Sequence, residues 1–232
     1  MPVHLVAVTF DVPDPARTAA FWGALLGRAA VEDDGGVLMP GDATQVGLRF
    51  GGGTTDPEGP ARLHLHLTST SEDDRARTIE RALALGGRHL DVGQLPEEDH
   101  VVLADPVGGA FCVIGPDNGF LAGCGRLGEV TCDGSRNVGL FWSAALGWPL
   151  VWDQDEETAI QSPHGGTKVS WGGPPYDSKR GRNRQRLELE ATDPAEVARL
   201  VALGATVLTE LPDTVELADP DGNEFRVRAR GG

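Results

Sequence analysis

The chain carries one set of sequence motifs twice. Three blocks recur in the same order: an aromatic pair followed by Leu-Gly, an alternating Arg-Leu-x-Leu segment, and an Asp-Pro-x-Gly-x-x-Phe ending. They lie at residues 21–27, 62–67 and 104–111 and return at 141–147, 186–190 and 218–225. A repeat of about 115 residues is too long for a solenoid unit and has the length of a small globular domain. The sequence therefore predicts two related domains in tandem.

The composition is that of an acidic protein with two modest cores. The chain has 232 residues, 40% of them hydrophobic, which is enough for each half to bury a core of its own. The net charge of −15 argues against nucleic acid and anionic membranes as partners, because both are polyanions. The chain shows no signal-peptide pattern and no apolar run of membrane-spanning length, so we expect a cytoplasmic protein. Its three cysteines lack metal-knuckle spacing and are expected to be reduced thiols.

Each half divides into two β-α-β-β-β modules. In the first module, Asp14-Pro15 is a helix start and Gly27 a helix end, after an opening strand. The second module begins with a strand at 62–67 and a helix at 72–85. The second half repeats this order with helices near 136–146 and 194–203. We place the first domain at 1–117, an interdomain linker at 118–125 and the second domain at 126–232.

These modules and motifs resemble the vicinal oxygen chelate superfamily, and within it the tandem glyoxalase-like proteins. That superfamily includes glyoxalase I, extradiol dioxygenases and bleomycin-sequestering proteins. The resemblance implies an α+β fold of two tandem glyoxalase-like domains. Each domain would combine two βαβββ modules into a curved antiparallel sheet, forming a cup with the helices outside and a small organic molecule inside.

Strand periodicity predicts which side chains face such a cup. In the segment 63–67 the three leucines share one face, so His64 and His66 point to the other. The same alternation turns Glu188 and Glu190 inward on the matching strand. On the last strand of each domain, the inward-facing residues include Cys112, Glu224 and Arg226.

In metal-dependent members of the superfamily, ligands come from the first, fifth and eighth strands of a domain. The matching positions here are Val8 and Gly128, His64 and Glu188, and Cys112 and Arg226. Glycine and valine offer no ligand atom and arginine repels cations, so no metal or other cofactor is favoured. Pairing of modules across the two halves is the alternative. It brings Glu129 toward His64, His66 and Cys112, requires a β-bulge, and permits a divalent ion (Zn, Ni, Mn or Fe) held by His64, His66 and Glu129.

The candidate residues have two interpretations each. Glu188 and Glu224 are candidate general bases, whereas cross-strand ion pairs with arginine are the simpler role for Glu188 and Glu190. The candidates for ligand binding are His64, His66, Cys112, Glu190, Trp152, Trp171 and Arg226. The simpler role for Cys112 is that of a small buried hydrophobic residue. The basic loop 179–184 either closes over an anionic substrate or is a solvated connection.

Three functional hypotheses follow. The favoured one is a protein that binds a small organic molecule in a cup without a complete metal site. The alternative is a metal-dependent lyase, isomerase or dioxygenase that uses His64, His66 and Glu129. Metal-free acid–base catalysis by a buried carboxylate is a third hypothesis. The expected partner is a small molecule, with intramolecular pairing of the domains and a possible homodimer.

Overall fold

The computed structural model describes residues 3–53, 61–95, 98–176 and 179–229. Four successive βαβββ modules appear in the predicted order. The first module contains β1 (Val3–Val12), α1 (Pro15–Leu26), β2 (Val31–Asp33), β3 (Gly36–Met39) and β4 (Gly47–Gly52). The second contains β5 (Leu63–Leu67), α2 (Glu72–Ala84), β6 (Arg88–His89), β7 (His100–Ala104) and β8 (Ala110–Ile114).

A short connection leads into the second half. It includes a single 3-10 turn at Gly119–Leu121, inside the segment predicted as a linker. The third module contains β9 (Leu127–Cys132), α3 (Arg136–Leu146), β10 (Leu150–Gln154), β11 (Glu157–Gln161) and β12 (Lys168–Trp171). The fourth contains β13 (Gln185–Ala191), α4 (Ala195–Ala202), β14 (Thr206–Leu211), β15 (Thr214–Ala218) and β16 (Glu224–Ala229).

The helix boundaries follow from local chemistry. Asp14 accepts a hydrogen bond from the backbone N–H of Arg17 at 3.0 Å, and Pro15 occupies the first turn of α1. The helix ends at Gly27, whose φ of 69° favours glycine. Ser71 caps α2 by accepting from the N–H of Asp74 at 3.1 Å. These observations confirm the predicted start and end of α1.

Each sheet contains strands from both halves of the chain. One eight-stranded sheet has the order β14-β15-β16-β13-β1-β4-β3-β2, and the other has the order β10-β11-β12-β9-β5-β8-β7-β6. Each sheet therefore joins a module of the first half to a module of the second, through the antiparallel pairs β1–β13 and β5–β9. The cross-half pairing that the sequence offers as an alternative is therefore present.

The sheets, expected to be antiparallel, also contain parallel strand pairs. Within each module the first and last strands pair in parallel: β1 with β4, β5 with β8, β9 with β12, and β13 with β16. A helix and a two-stranded hairpin separate these strands, and the chain returns through them in its original direction. Both sheets are therefore mixed.

The aromatic residues of the repeat build a core shared by both sheets. Trp22 packs on Phe111 with ring centroids 5.0 Å apart, and Trp142 packs on Phe225 at 4.9 Å. Both tryptophans are 2% exposed and belong to one continuous hydrophobic cluster. Each indole N–H donates to the aspartate of an Asp-Pro turn, Trp22 to Asp105 and Trp142 to Asp219. No helix among the described residues is long and apolar enough to cross a membrane.

Candidate functional site

The alternation predicted for β5 is present. Leu63, Leu65 and Leu67 are buried in the shared core, while His64 and His66 lie on the opposite side of the strand and are partly buried. We call the side of this sheet that carries His64, His66, Cys112 and Glu129 the histidine face. Cys112 is the neighbour of His66 on the parallel strand β8, so three strands contribute to this cluster.

A β-bulge brings Glu129 to the histidine face. The register pairs His66 with Glu129 and Leu67 with Leu127, leaving Gly128 without a partner in the ladder. The extra residue turns Glu129 to the side that Gly128 would otherwise occupy. A Cβ atom at position 128 would lie 2.5 Å from Cγ2 of Thr68, so the bulge requires glycine there. The predicted condition for moving Glu129 toward the histidines is therefore met.

The cluster is tightly connected. Nδ1 of His66 lies 2.7 Å from Oε2 of Glu129, and Nε2 of His66 lies 2.9 Å from Nε2 of His64. One donor atom from each of His64, His66 and Cys112 lies within 4.8 Å of the other two. Each imidazole thus has one nitrogen directed at the same small region.

The electrostatics assign opposite protonation states to the two imidazoles. Burial would lower the pKa of His66, but hydrogen bonds with Cys112 and Glu129 raise it to about 9. Burial, followed by the charge on His66, lowers the pKa of His64 to about 4. Burial opposes ionisation of Glu129, yet its bond to His66 keeps the pKa of this carboxyl below the usual range. At neutral pH the cluster holds a His66–Glu129 ion pair beside a neutral His64.

The cluster could hold a metal ion, but with one ligand different from the predicted set. Glu129 contacts Nδ1 of His66, whereas Nε2 is the atom that meets His64, so Cys112 is the third ligand candidate in place of Glu129. Imidazole and thiolate donors suit zinc. Zinc–nitrogen bonds of about 2.0 Å set two ligand nitrogens roughly 3.3 Å apart, which requires a small opening of the 2.9 Å contact. Glu129 has the position of a carboxylate that orients a ligating histidine.

The segment predicted as a linker packs beside this cluster. Phe120 meets Trp152 edge to face at 5.9 Å, and Nζ of Lys168 lies 4.0 Å from the Phe120 ring centroid. A small apolar cluster joins the segment to the sheet: Val102, Cys112, Ile114, Leu121 and Cys124. Sequence reasoning missed Phe120, although an aromatic residue inside a Gly- and Asp-rich linker is a usable signal. Small-molecule sites are cavities of about 300–1,000 Å³. A cavity of about 430 Å³ borders the apolar cluster and is lined in part by its residues Ile114, Leu121 and Cys124.

Two of the predicted aromatic residues lie in different environments. Trp152 is 38% exposed at the contact with Phe120, where its predicted role in ligand binding stays a prediction. Trp171 is 2% exposed in the shared core, and it lies on the helix side of β12, next to Gly139 of α3. The expectation that Trp171 lines the cup is therefore wrong. Ser170, its neighbour in the strand, faces the other side and bonds Thr131 at 3.1 Å.

The corresponding side of the other sheet carries ion pairs. We call it the arginine face, defined by Arg49, Arg186, Arg226 and Arg228. Glu188 is 1% exposed there, accepts from Oγ1 of Thr9 at 2.9 Å, and pairs with Nε of Arg49 at 2.7 Å and Nε of Arg228 at 2.8 Å.

These contacts support the interpretation of Glu188 as a cross-strand ion-pair partner. Sequence reasoning missed Arg49, which period-two alternation from Gly47 places on this side. Glu190 pairs with His4 at 3.1 Å. Glu224 accepts from Lys179 at 2.9 Å and from the backbone N–H of Asn183 at 3.2 Å. The catalytic role of Glu188 and Glu224 stays a prediction.

The strand registers correct the matching of the two faces. Cys112 pairs with His66 and Arg226 pairs with Glu188, so Glu188 corresponds to His66 and not to His64. By the same registers Arg186 corresponds to His64. The β-bulges agree with this matching. Val6 has no partner in the ladder between β1 and β13, just as Gly128 has none in the ladder between β9 and β5. The positions of His64, His66 and Cys112 thus hold arginine, glutamate and arginine on the other sheet.

Comparisons with known proteins agree on the fold. A family model described as a glyoxalase-like domain matches residues 7–114 and 129–228. The crystal structure of glyoxalase I from Zea mays superposes with a TM-score of 0.68 at 16% identity, covering 98% of this chain and 92% of that one. A putative dioxygenase from Bacillus subtilis gives 0.61 at 12% identity, covering 98% and 85%. Comparison with curated protein sequences found no match. At these identities the two structures support the fold alone.

Proposed function

Because the chain belongs to the glyoxalase-like domain family, we propose that it binds a small, partly apolar organic molecule at its histidine face. The observation that carries this proposal is the clustering of His64, His66 and Cys112 from two strands, held by Glu129 from a third. The neutral imidazole of His64 and the thiol of Cys112 offer polar contacts. Phe120 and Trp152 offer apolar ones. A cavity of about 430 Å³, which has the size of a ligand site, adjoins Leu121 and Cys124, and these pack with Cys112 in one apolar cluster.

A fluorescence screen tests this proposal. Binding near Phe120 changes the emission of the exposed Trp152, so a library of small aromatic and polycyclic compounds can be screened against the untagged protein. We expect hits whose affinity falls about tenfold in His64→Ala, the loss of one good polar contact. The matched control is His89→Ala, which removes an exposed histidine from the edge strand β6. Hits with equal affinity for both variants would contradict binding at the histidine face.

The same cluster favours a second candidate, a metal-dependent lyase, isomerase or dioxygenase. His64, His66 and Cys112 would hold the ion, and a bound zinc ion supplies a Lewis acid that polarises a substrate oxygen. The residues of this chain would do the rest: Glu129 fixes the ring of His66 through Nδ1, and the segment around Phe120 restricts access of water.

Metal analysis of protein purified without an affinity tag tests the second candidate. We expect about one zinc per chain, lost in Cys112→Ser and retained in Cys132→Ser, because Cys132 lies on the core side of β9. Substoichiometric zinc, nickel, manganese and iron in wild-type protein would reject the metal site and leave the binding proposal standing.

A further inference from the structure

We propose that the arginine face is a second binding site, which takes a small organic anion through its carboxylate or phosphate group, with Arg226 as the anchor. This site lies on the sheet opposite to the histidine face. It does not depend on the function proposed above.

Three guanidinium groups on this face share two carboxylates. Arg186 donates two hydrogen bonds to Asp11, both of 2.6 Å. Arg182 binds both oxygens of Glu216. The ion-pair contact of Arg226 with Glu216 is long, 3.7 Å from its Nε, and Arg226 forms no hydrogen bond with any residue in the described ranges. A guanidinium has five N–H donors, and those of Arg226 are left for a ligand.

Two further carboxylates near Arg226 are engaged elsewhere. Glu188 stands beside Arg226 in the strand register, but its pairs are with Arg49 and Arg228. Glu224 pairs with Lys179 at 2.9 Å. The positive charge of Arg226 is therefore not cancelled by either of these neighbours.

Arg226 is placed where a ligand can reach it. It lies on β16 between β13 and β15, near the middle of its half of the sheet, and its side chain is 34% exposed. Burial, and then the nearby charges of Arg186 and Arg182, lower the pKa of its guanidinium. An anion bound here relieves that repulsion and gains bidentate, charge-assisted hydrogen bonds.

The arginine occupies the position that Cys112 holds on the histidine face. Where the histidine face has a candidate metal ligand, the arginine face therefore has a positively charged side chain. A carboxylate or phosphate is the group that a planar guanidinium recognises best. The arginine face is therefore suited to an anionic ligand, whereas the histidine face presents the neutral His64 and the thiol of Cys112.

Titration calorimetry with phenylphosphate and phenylacetate tests the inference. We expect saturable one-site binding of at least one probe by the wild-type protein, weakened at least about tenfold in Arg226→Gln and less in Arg226→Lys, which keeps the charge and loses the fork. The control Arg136→Gln removes the same charge from an exposed ion pair on α3 and leaves affinity unchanged. His64→Ala also leaves it unchanged, which separates this site from the histidine face.

A second variant keeps the inference testable if Arg226→Gln does not fold, because it is expected to gain affinity. Glu216→Gln removes the carboxylate that competes for Arg226 and Arg182, so it is expected to bind the same probe several-fold more tightly. Equal affinity of wild type and Arg226→Gln would overturn the inference. It would also be overturned if neither probe binds saturably to wild type or to Glu216→Gln.

Discussion

The two sheets share one strand register and differ in the side chains on the side that faces away from the shared core. At matched positions the histidine face has His64, His66 and Cys112, and the arginine face has Arg186, Glu188 and Arg226. The residue matching Glu129 is Ala7, which occupies little of the space around Glu188. The first set consists of imidazole and thiol groups, and the second of guanidinium groups around a carboxylate. A duplicated backbone therefore carries two chemistries.

The largest expected effect is on stability, and it compares the central carboxylate of each face, Glu188 and Glu129. Glu188→Gln leaves Arg49, 5% exposed, with Asp33 as its remaining ion-pair partner and without its buried counter-charge, and should cost about 3 kcal/mol of unfolding free energy. Glu129→Gln on the histidine face should cost only about 1–2 kcal/mol, because His66 can release its proton and arginine cannot. Urea denaturation at pH 7 measures both. Equal losses would show that the two pairs contribute alike.

The next effect compares the Asp-Pro turns of the two halves. Burial raises the pKa of Asp219 from 3.8 to about 6. A raised carboxyl pKa stabilises the fold fully below the unfolded value, and that contribution is lost as the pH rises from about 4 to about 6. It amounts to roughly 3 kcal/mol. The unfolding free energy of wild type minus that of Asp219→Asn should therefore fall across this window.

Asp105 is the matched position in the first half. Burial also raises its pKa, so Asp105→Asn should change the pH dependence in the same direction. Denaturation curves at several pH values between 3.5 and 7 provide the measurement. A difference curve that is flat or rises with pH would show that burial does not destabilise the charged form of these aspartates.

The third effect sharpens the assignment of Glu129. A carboxylate that orients a metal-bound histidine contributes about 10- to 100-fold to metal affinity. Glu129→Gln should weaken zinc binding by that factor in competition with a chromophoric chelator, while Glu190→Gln, on the other sheet, should leave it unchanged. Unchanged affinity in Glu129→Gln would mean that His66 does not need this partner to bind zinc.

The smallest effect tests the two bulges. Gly128→Ala sets a methyl group against Thr68 and should cost about 1–2 kcal/mol. Val6, the skipped residue of β1, already has a side chain, so Val6→Ala should cost less. Thermal unfolding of the two variants measures the difference. A neutral Gly128→Ala would indicate that β9 can form the bulge without glycine.

Local patterns in the sequence predicted the elements and the orientation of their side chains. Asp14, Pro15 and Gly27 bound α1 because capping and the left-handed conformation depend on single residues. Leu63 to Leu67 alternate as expected because the period of two is a property of any strand. The side on which Arg49 lies was accessible to the same rule, because Arg49 stands between the buried Leu48 and Phe50 in β4.

Features that depend on neighbouring strands were less accessible. The sequence predicted the cross-half pairing only as an alternative, since β5 is compatible with either module as its neighbour. Trp171 was misassigned because a strand tryptophan does not indicate which side is covered by a helix. Phe120 was missed because its contact partners, Trp152 and Lys168, are far away in the chain.

The sequence by itself determined the duplication, the four βαβββ modules and the alternation that separates the leucines from His64 and His66, because these depend on contacts within a few residues. Only the tertiary structure decided that each sheet joins both halves, that the bulge at Gly128 delivers Glu129 to His66, and that Arg226 corresponds to Cys112. Strand order and register are set by packing between distant segments, and a shift of one residue reverses the side on which a group lies.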